Sequence, residues 1–308
     1  MTVAPASHRL PPSLVERMTQ PAVLVQFLAG LEARLTPTDR IGLHRRASLL
    51  RGLGRGAEAG EAYRALLASD PHDLGAQAGA AIFAGAPLPE GAQGPTPFVQ
   101  LADVLSADQQ ARLWQSLTDD SASLAPAGVY TGGTQPRVDG ETRVAQLLER
   151  ADSVRAWFLP WLEEVIARAN ILPRLGLAPF AVGKRELQVT GHSDGGFFSV
   201  HSDASANPAA PSWARHLTFI YYFHRLPRRF SGGDLLLFDP PGGGDLSFTR
   251  IDPTHNSLVL FQSRQMHTVT QIHSAATDPL DGRWTVNGWL HRAKTPLTPE
   301  RHQDLKEG

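Results

Sequence analysis

The segment Phe197-Phe198-Ser199-Val200-His201-Ser202-Asp203 sets an imidazole and a carboxylate two residues apart. In an extended strand, residues i and i+2 project from one face. His201 and Asp203 can therefore reach one cation, the first with a neutral nitrogen and the second with a charged oxygen. A third ligand must come from elsewhere in the chain. His267, in Gln265-Met266-His267-Thr268-Val269, opens a later strand after the apolar run Leu258 to Phe261. Eight of the twelve histidines lie between positions 192 and 291, so some of them are expected to be ligands. A fourth element, Gly282 to Leu290, starts an alternating strand with an arginine, which puts Arg283, Thr285, Asn287 and Trp289 on one face. An arginine lining the inside of a β fold needs an anion, because an unpaired buried guanidinium is costly. A dicarboxylate would meet that need through a bidentate, charge-assisted pair. Each piece also has a plain structural reading. An isolated H-x-D is common, a lone histidine near a strand end is often a surface or core residue, and Arg283 could pair with a surface carboxylate.

Short β-rich runs must position these groups. Glu186–Thr190, Leu217–Phe223, Leu235–Phe238, Ser257–Phe261, His267–Ile272 and Trp284–Leu290 are separated by glycine- and proline-rich turns, which argues for a sandwich or barrel-like β fold. Upstream, a helix is expected from Ser106, its N-cap, to Thr118, and a longer one from Thr142 to Asn170, kinked or divided at Pro160. The first 85 residues read as helices. Ala59, Tyr63, Leu66 and Leu67 form one apolar stripe, closed by Ser69-Asp70-Pro71. That half-motif resembles the second helix of a tetratricopeptide repeat, with Leu66 where a small residue is usual; an ordinary helical bundle is the other reading. Ala86 to Pro97, rich in proline and glycine, reads as a linker. The expected division is a helical region over 1–95, a catalytic domain over 96–296 and a tail over 297–308.

Composition narrows the function. The chain has 308 residues, 42% of them hydrophobic and 19% charged, and a formal net charge of −1. That balance supports a packed core and removes the usual electrostatic case for nucleic acid or an anionic membrane as partner. With no cysteine, thiolate metal sites, cysteine nucleophiles and disulfides are excluded, and a metal must take His, Asp, Glu or backbone oxygen. Neither a signal peptide nor a membrane-spanning run is visible, so a soluble cytoplasmic protein is expected, with a composition like that of GC-rich bacterial genomes.

Two histidines and one carboxylate on one face, with other coordination positions open, is the arrangement of non-haem Fe(II) oxygenases. The order GGFFSVHSD, RHLTFIYYFH, SGGDLLLFD, NSLVLFQSRQMHTV, GRWTVNGWL, running from about Arg185 to Arg292, resembles the Fe(II)/2-oxoglutarate-dependent oxygenases, in particular their prolyl-4-hydroxylase-like branch. The resemblance implies an α+β protein with a double-stranded β-helix (jelly roll) and supporting helices. It implies Fe(II) on His201, Asp203 and His267, and the distal carboxylate of 2-oxoglutarate on Arg283, with Thr285 as a hydroxyl donor beside it. O2 is then the second co-substrate, and the outcome is hydroxylation of a C–H bond with release of succinate and CO2. Two features depart from the family. His192 stands where a co-substrate-binding tyrosine is usual, which makes it a candidate for contact with the co-substrate or substrate. The sixteen residues from His267 to Arg283 also imply an extra loop.

Several functions remain open at this stage. The substrate is an amino acid or related small metabolite, or else a prolyl or other residue of a polypeptide recruited by the N-terminal helices. A non-catalytic jelly-roll binding protein and a hydrolytic zinc site are further readings, though the zinc site leaves Arg283 unexplained. Gly242-Gly243-Gly244 reads as a hairpin turn, Arg225, Arg228 and Arg229 as a solvated basic loop, and Tyr221, Tyr222 and Phe223 as core. His224 is given no role.

Overall fold

The computed structural model describes residues 17–120, 123–128, 138–204, 213–240 and 246–293. Leu14, Val15, the Gly242–Gly244 turn and the tail over 297–308 lie outside them. Four helices come first: α1 Pro21–Glu32, α2 Arg40–Gly52, α3 Gly56–Ser69 and α4 Leu74–Ala84. Their ends follow local chemistry. Pro21 opens α1, where its missing N–H costs nothing. The carboxylates of Asp39 and Asp73 accept the backbone N–H groups of Gly42 and Ala76 to cap α2 and α4. Next come β1 Phe98–Leu101, α5 Ala107–Asp119, β2 Leu124–Pro126, β3 Arg143–Val144, β4 Gln146–Leu148, α6 Asp152–Arg168 and α7 Ile171–Arg174. The expected cap at Ser106 is a full capping box, reciprocated by Gln109.

The helix expected over Thr142–Asn170 is a correction. It begins only at Asp152, because β3 and β4 take its first third. Val144, Leu147 and Leu148 fit a helical stripe, but Gln146 and Leu147 pair with Gly191 and Thr190, and Arg143 pairs with Phe198. Sheet pairing with distant strands therefore overrides the local period. Pro160 does not divide α6. Phe158, Leu159 and Leu162 are buried on either side of it and hold the helix against the sheet.

The remaining strands are β5 Val182–His192, β6 Phe197–His201, β7 Trp213–Phe223, β8 Ser231–Gly232, β9 Leu235–Phe238, β10 Phe248–Ile251, β11 Ser257–Gln262, β12 His267–Val269, β13 Ile272–His273 and β14 Arg283–Ala293. The run expected over His267–Ile272 is split into β12 and β13, and the extra loop holds a single 3-10 turn at Pro279–Asp281. A seven-stranded sheet has the order β1-β11-β7-β14-β5-β4-β2, and a five-stranded sheet the order β10-β9-β12-β6-β3. Pairing is antiparallel throughout these strands; β5, β7, β11 and β14 belong to the large sheet and β6, β9, β10 and β12 to the small one, while β8 and β13 pair with each other.

Period-2 alternation assigns the faces of the large sheet. Leu187, Val189, Phe219, Tyr221, Trp284 and Val286 face outward onto α6, where Val154, Phe158, Leu162 and Val165 cover them. Fully burying each such side chain contributes about 1.5–3 kcal/mol. The intervening residues Gln188, Thr190, Thr218, Ile220, Arg283, Thr285 and Asn287 face inward and line a cleft with residues of the small sheet.

The outer face of the small sheet is covered by the N-terminal helices. Leu24 packs with Leu236, Phe238 and Phe248, and the 3%-exposed Arg51 side chain forms an ion pair with Asp239 at 2.5 Å. Arg250 donates to the carbonyl oxygens of Gly52 and Thr19. The stretch from Ala86 to Pro97 forms no helix or strand but is pinned, since Thr96 donates its hydroxyl to the Phe238 carbonyl at 2.6 Å. Among the described residues no helix is long and apolar enough to cross a membrane.

Candidate active site

β6 and β12 are neighbours in the small sheet, and the register places His201 opposite His267. Asp203 follows β6 by two residues. The three side chains converge so that one ligand atom from each lies within 4.8 Å of the others. His201 Nε2 stands 3.6 Å from Asp203 Oδ1, and His267 Nε2 stands 3.5 Å from Oδ2. Cis ligands on an octahedral ion with bonds of about 2.1 Å are about 3 Å apart, so a small inward movement would close the set around a cation.

The orientation of both imidazoles is fixed from behind. Each places Nδ1 on the carbonyl oxygen two residues upstream, His201 on Ser199 at 2.8 Å and His267 on Gln265 at 2.9 Å. A carbonyl only accepts, so the proton is assigned to Nδ1, and the Nε2 lone pair faces Asp203. Asp203 in turn accepts from the hydroxyl of Thr218 at 2.9 Å, and Ser263 Oγ lies 2.9 Å from that hydroxyl. Burial opposes charge on Asp203, but His267 and His201 in their protonated forms outweigh it and hold the carboxyl well below its usual range. Burial, reinforced by His201, pulls His267 down to about 4, so this imidazole is neutral at physiological pH. In the Nδ1–H form both rings turn a lone pair toward the Asp203 carboxylate in a largely buried site. Atoms of one polarity converge there at a cost unless a cation sits among them. The donor set fits a divalent transition metal with positions left open.

Arg283 lies at the other end of the cleft. Its register partner across β14 and β5 is His192, and the residue is 2% exposed. Its guanidinium lies over the Tyr222 ring, 4.8 Å from the centroid, and Nη1 approaches His192 Nδ1 at 3.4 Å. Nε has no hydrogen-bond partner, and no carboxylate of the described residues forms an ion pair with this side chain. Burial accordingly pulls its pKa down, against a smaller opposing effect of Tyr222. One glycine makes room for it and another for its neighbour Trp284. A Cβ on Gly233, whose φ is +73°, would meet Arg283 Cδ at 2.7 Å, and one on Gly191 would meet the Trp284 ring at 2.6 Å. A buried, charge-unpaired guanidinium in a cleft is a receptor for an anionic group.

His192 is buried, and burial together with Arg283 and Arg143 pushes its pKa well below that of a free imidazole. With Nδ1 turned to the Arg283 N–H, the proton of the neutral ring is assigned to Nε2, which is buried without a partner. His192 therefore offers one uncommitted N–H to the cleft. Thr285 also lines the cleft, but its hydroxyl lies 3.1 Å from Asn287 Oδ1 and 3.3 Å from the Thr190 carbonyl. It is committed to the wall, unlike the free donor expected.

Elsewhere the sequence candidates are structural. The basic loop dissolves into ion pairs, with Arg225 on Asp278 and Asp281, and Arg228 on Asp252. The open surface depression beside it, about 590 Å³, includes Arg228, Arg229 and His273 and holds none of the triad. Tyr221, Tyr222 and Phe223 are core, the His224 backbone N–H donates to His255 Nδ1, and the two rings bond to the Arg225 carbonyl and to the Gln110 side chain of α5. Sequence reading missed Arg143, Phe198, Thr218 and Ser263 as site residues. The Phe198 ring stacks on His201 with centroids 3.6 Å apart, and the Arg143 guanidinium lies 5.0 Å from the Phe198 centroid. A threonine on the inward face of β7 was the one available signal for Thr218; Arg143 had none, because its strand reads as helix.

Residues 187–291 match the family model described as the 2OG-Fe(II) oxygenase superfamily. An uncharacterised PKHD-type hydroxylase from Synechocystis sp. is 35% identical over 128 residues, which cover 40% of this chain and 41% of that protein. The chain thus spans about two fifths of the length of that curated relative. Among solved structures, a prolyl-4-hydroxylase from Pseudomonas putida is 19% identical, covering 64% of this chain and 93% of that one, with a TM-score of 0.44. A prolyl hydroxylase from Trichoplax adhaerens, solved with a hypoxia inducible factor peptide fragment, is 18% identical, covering 69% and 88%, with a TM-score of 0.46.

Proposed function

We propose that this chain, whose residues 187–291 belong to the 2OG-Fe(II) oxygenase superfamily on its prolyl-4-hydroxylase-like branch, hydroxylates a C–H bond of an amino acid or related small metabolite. The co-substrates are 2-oxoglutarate and O2, and the products include succinate and CO2. The observation that carries this reading is one cleft with two buried demands. At one end three ligand atoms converge on space for a cation; at the other a guanidinium waits for a carboxylate. The repeated crossing of the chain between two antiparallel sheets supports the jelly-roll scaffold expected of such an enzyme.

The geometry supports the following roles. His201, Asp203 and His267 hold Fe(II), the imidazoles through Nε2 and Asp203 through a carboxylate kept ionised. The bound iron supplies activation of O2, with 2-oxoglutarate as the source of two electrons. Arg283 takes the distal carboxylate of 2-oxoglutarate, and His192 donates its Nε2–H to the same molecule. Phe198, Ile220, Val269 and Trp289 make the walls apolar and keep water from the oxidising step. The N-terminal helices lie on the outer face of the small sheet, opposite the cleft, which disfavours a reading in which they grip a polypeptide substrate.

The test is anaerobic. Protein with Fe(II) and 2-oxoglutarate is expected to show the weak visible charge-transfer absorption of the chelate, and Asp203→Ala to abolish it. An unchanged band in that variant ends the assignment of the triad.

A further inference from the structure

A second arginine enters the cleft and has no work in the scheme above. Arg143 lines it together with His201, Asp203 and His267. Its strand β3 is the edge of the small sheet, and Arg143 pairs there with Phe198. Its Nε is sealed from solvent without a hydrogen-bond partner. Its Nη1 reaches only the Gly128 carbonyl, at a long 3.4 Å. Among the described residues no carboxylate lies within ion-pair distance of this side chain. Burial pulls its pKa down to about 10, so it is charged at neutral pH, and Asp203 is the acid that acts on it.

Charge accounting sharpens the point. A ferrous ion, the Asp203 carboxylate, a dicarboxylate co-substrate and the Arg283 guanidinium together carry no net charge. Asp203, once it serves the metal, no longer compensates Arg143. One positive charge is then left over in a low-dielectric cleft, where an uncompensated ion costs several kcal/mol. The next molecule to enter is the one to be oxidised.

We propose that Arg143 binds a carboxylate of that molecule, so that the substrate class is a free small-molecule acid rather than an internal residue of a polypeptide. This inference rests on the oxygenase reading above. The guanidinium receives the acid end, and the apolar walls formed by Phe198, Ile220, Val269 and Trp289 receive an aliphatic body. An internal peptidyl residue has no main-chain carboxylate to offer.

The experiment uses the full chain with Fe(II) and 2-oxoglutarate under anaerobic conditions. The probes are the free L-amino acids, each compared with its C-terminal amide. Perturbation of the visible band and calorimetric Kd are the readouts, so no turnover is needed. At least one acid is expected to shift the band, with its amide at least tenfold weaker. Arg143→Gln should weaken that acid to the level of its amide, Arg143→Lys should recover part of the loss, and the Kd for 2-oxoglutarate should stay within about twofold in both. Amides that match their acids overturn the proposal, as does a panel in which no acid responds; both are read on the unmodified protein. A tenfold loss of 2-oxoglutarate affinity in Arg143→Gln overturns it too, by making Arg143 a partner of the co-substrate or a support for the Phe198–His201 stack. If the unmodified protein forms no band, the oxygenase reading fails and takes this inference with it. A band without acid preference refutes Arg143 alone.

Discussion

Replacing Arg283 with methionine should move two quantities in directions that a structural arginine cannot reproduce. In the free protein the guanidinium is 2% exposed, has no carboxylate partner among the described residues and leaves Nε unbonded. Its compensation is the Tyr222 ring at 4.8 Å and the His192 nitrogen at 3.4 Å. The ring contact stabilises by about 0.5–2 kcal/mol. Holding an uncompensated ion in the interior costs several kcal/mol, even after relaxation. Desolvation is the larger effect, so Arg283→Met should leave the free protein as stable as before or more stable by up to about 3 kcal/mol. In thermal melts that is an unchanged midpoint or a rise of up to roughly 6–12 °C, at about 2–4 °C per kcal/mol for a chain of this size. The same change removes the charge-assisted pair with 2-oxoglutarate. Losing about 1.5–4 kcal/mol raises its Kd roughly ten- to a thousandfold, at about 1.4 kcal/mol per factor of ten. Titration of the anaerobic visible band measures that Kd. The thermal stabilisation that 2-oxoglutarate gives the iron-loaded protein should shrink in parallel. A variant that melts several degrees lower while binding 2-oxoglutarate normally would refute the reasoning, because Arg283 would then be part of the scaffold.

Two further outcomes concern the helical region. Arg51→Met strands Asp239 in a site where the pair is 3% and 13% exposed, which should cost about 3–5 kcal/mol and lower the melting midpoint by roughly 6–20 °C. Melts of the double variant Arg51→Met/Asp239→Leu should recover most of it, and a single variant as stable as the parent would contradict the assignment. Burial opposes charge on Asp73, but hydrogen bonds from His44, the Ala76 backbone and Arg40 prevail and hold its pKa at about 2, below the unfolded value of 3.8. The sign follows: the folded state binds this proton less readily, so Asp73 stabilises above about pH 4 by up to about 2 kcal/mol, and loses that as the pH falls toward 2. Urea unfolding of the parent and Asp73→Asn should differ by a constant amount from pH 7 to 5 and converge as the pH approaches 2; a gap that widens on acidification refutes it.

What the sequence disclosed depended on whether the controlling contacts were local. His201 and Asp203 share a face by strand geometry alone, and Arg283, Thr285, Asn287 and Trp289 follow the same rule, so these were readable from spacing. The long strands were readable because each packs one apolar face on a helix. Arg143 was hidden because β3 and β4 are two- and three-residue strands whose existence is decided by partners some fifty residues away, while their own apolar spacing continues into α6. The committed state of the Thr285 hydroxyl was equally out of reach, since it depends on Asn287 and on a carbonyl across the sheet. Nothing in the composition of the first 95 residues told that they would share a core with the small sheet. That contact depends on Leu236, Phe238 and Phe248, which in the sequence look only like β-strand residues.

The hydrogen bonds that aim the two imidazoles of the triad come from the main chain, through the peptide oxygens of residues 199 and 265, and not from side chains. Every amino acid carries such an oxygen. Substitutions at those two positions, and on much of the surrounding cleft wall, therefore leave the aim of the histidines intact. Under the proposed function, metal binding and choice of substrate become separable variables in this architecture: the wall can be rewritten by mutation or design to accept new molecules while the proposed metal site stays where it is.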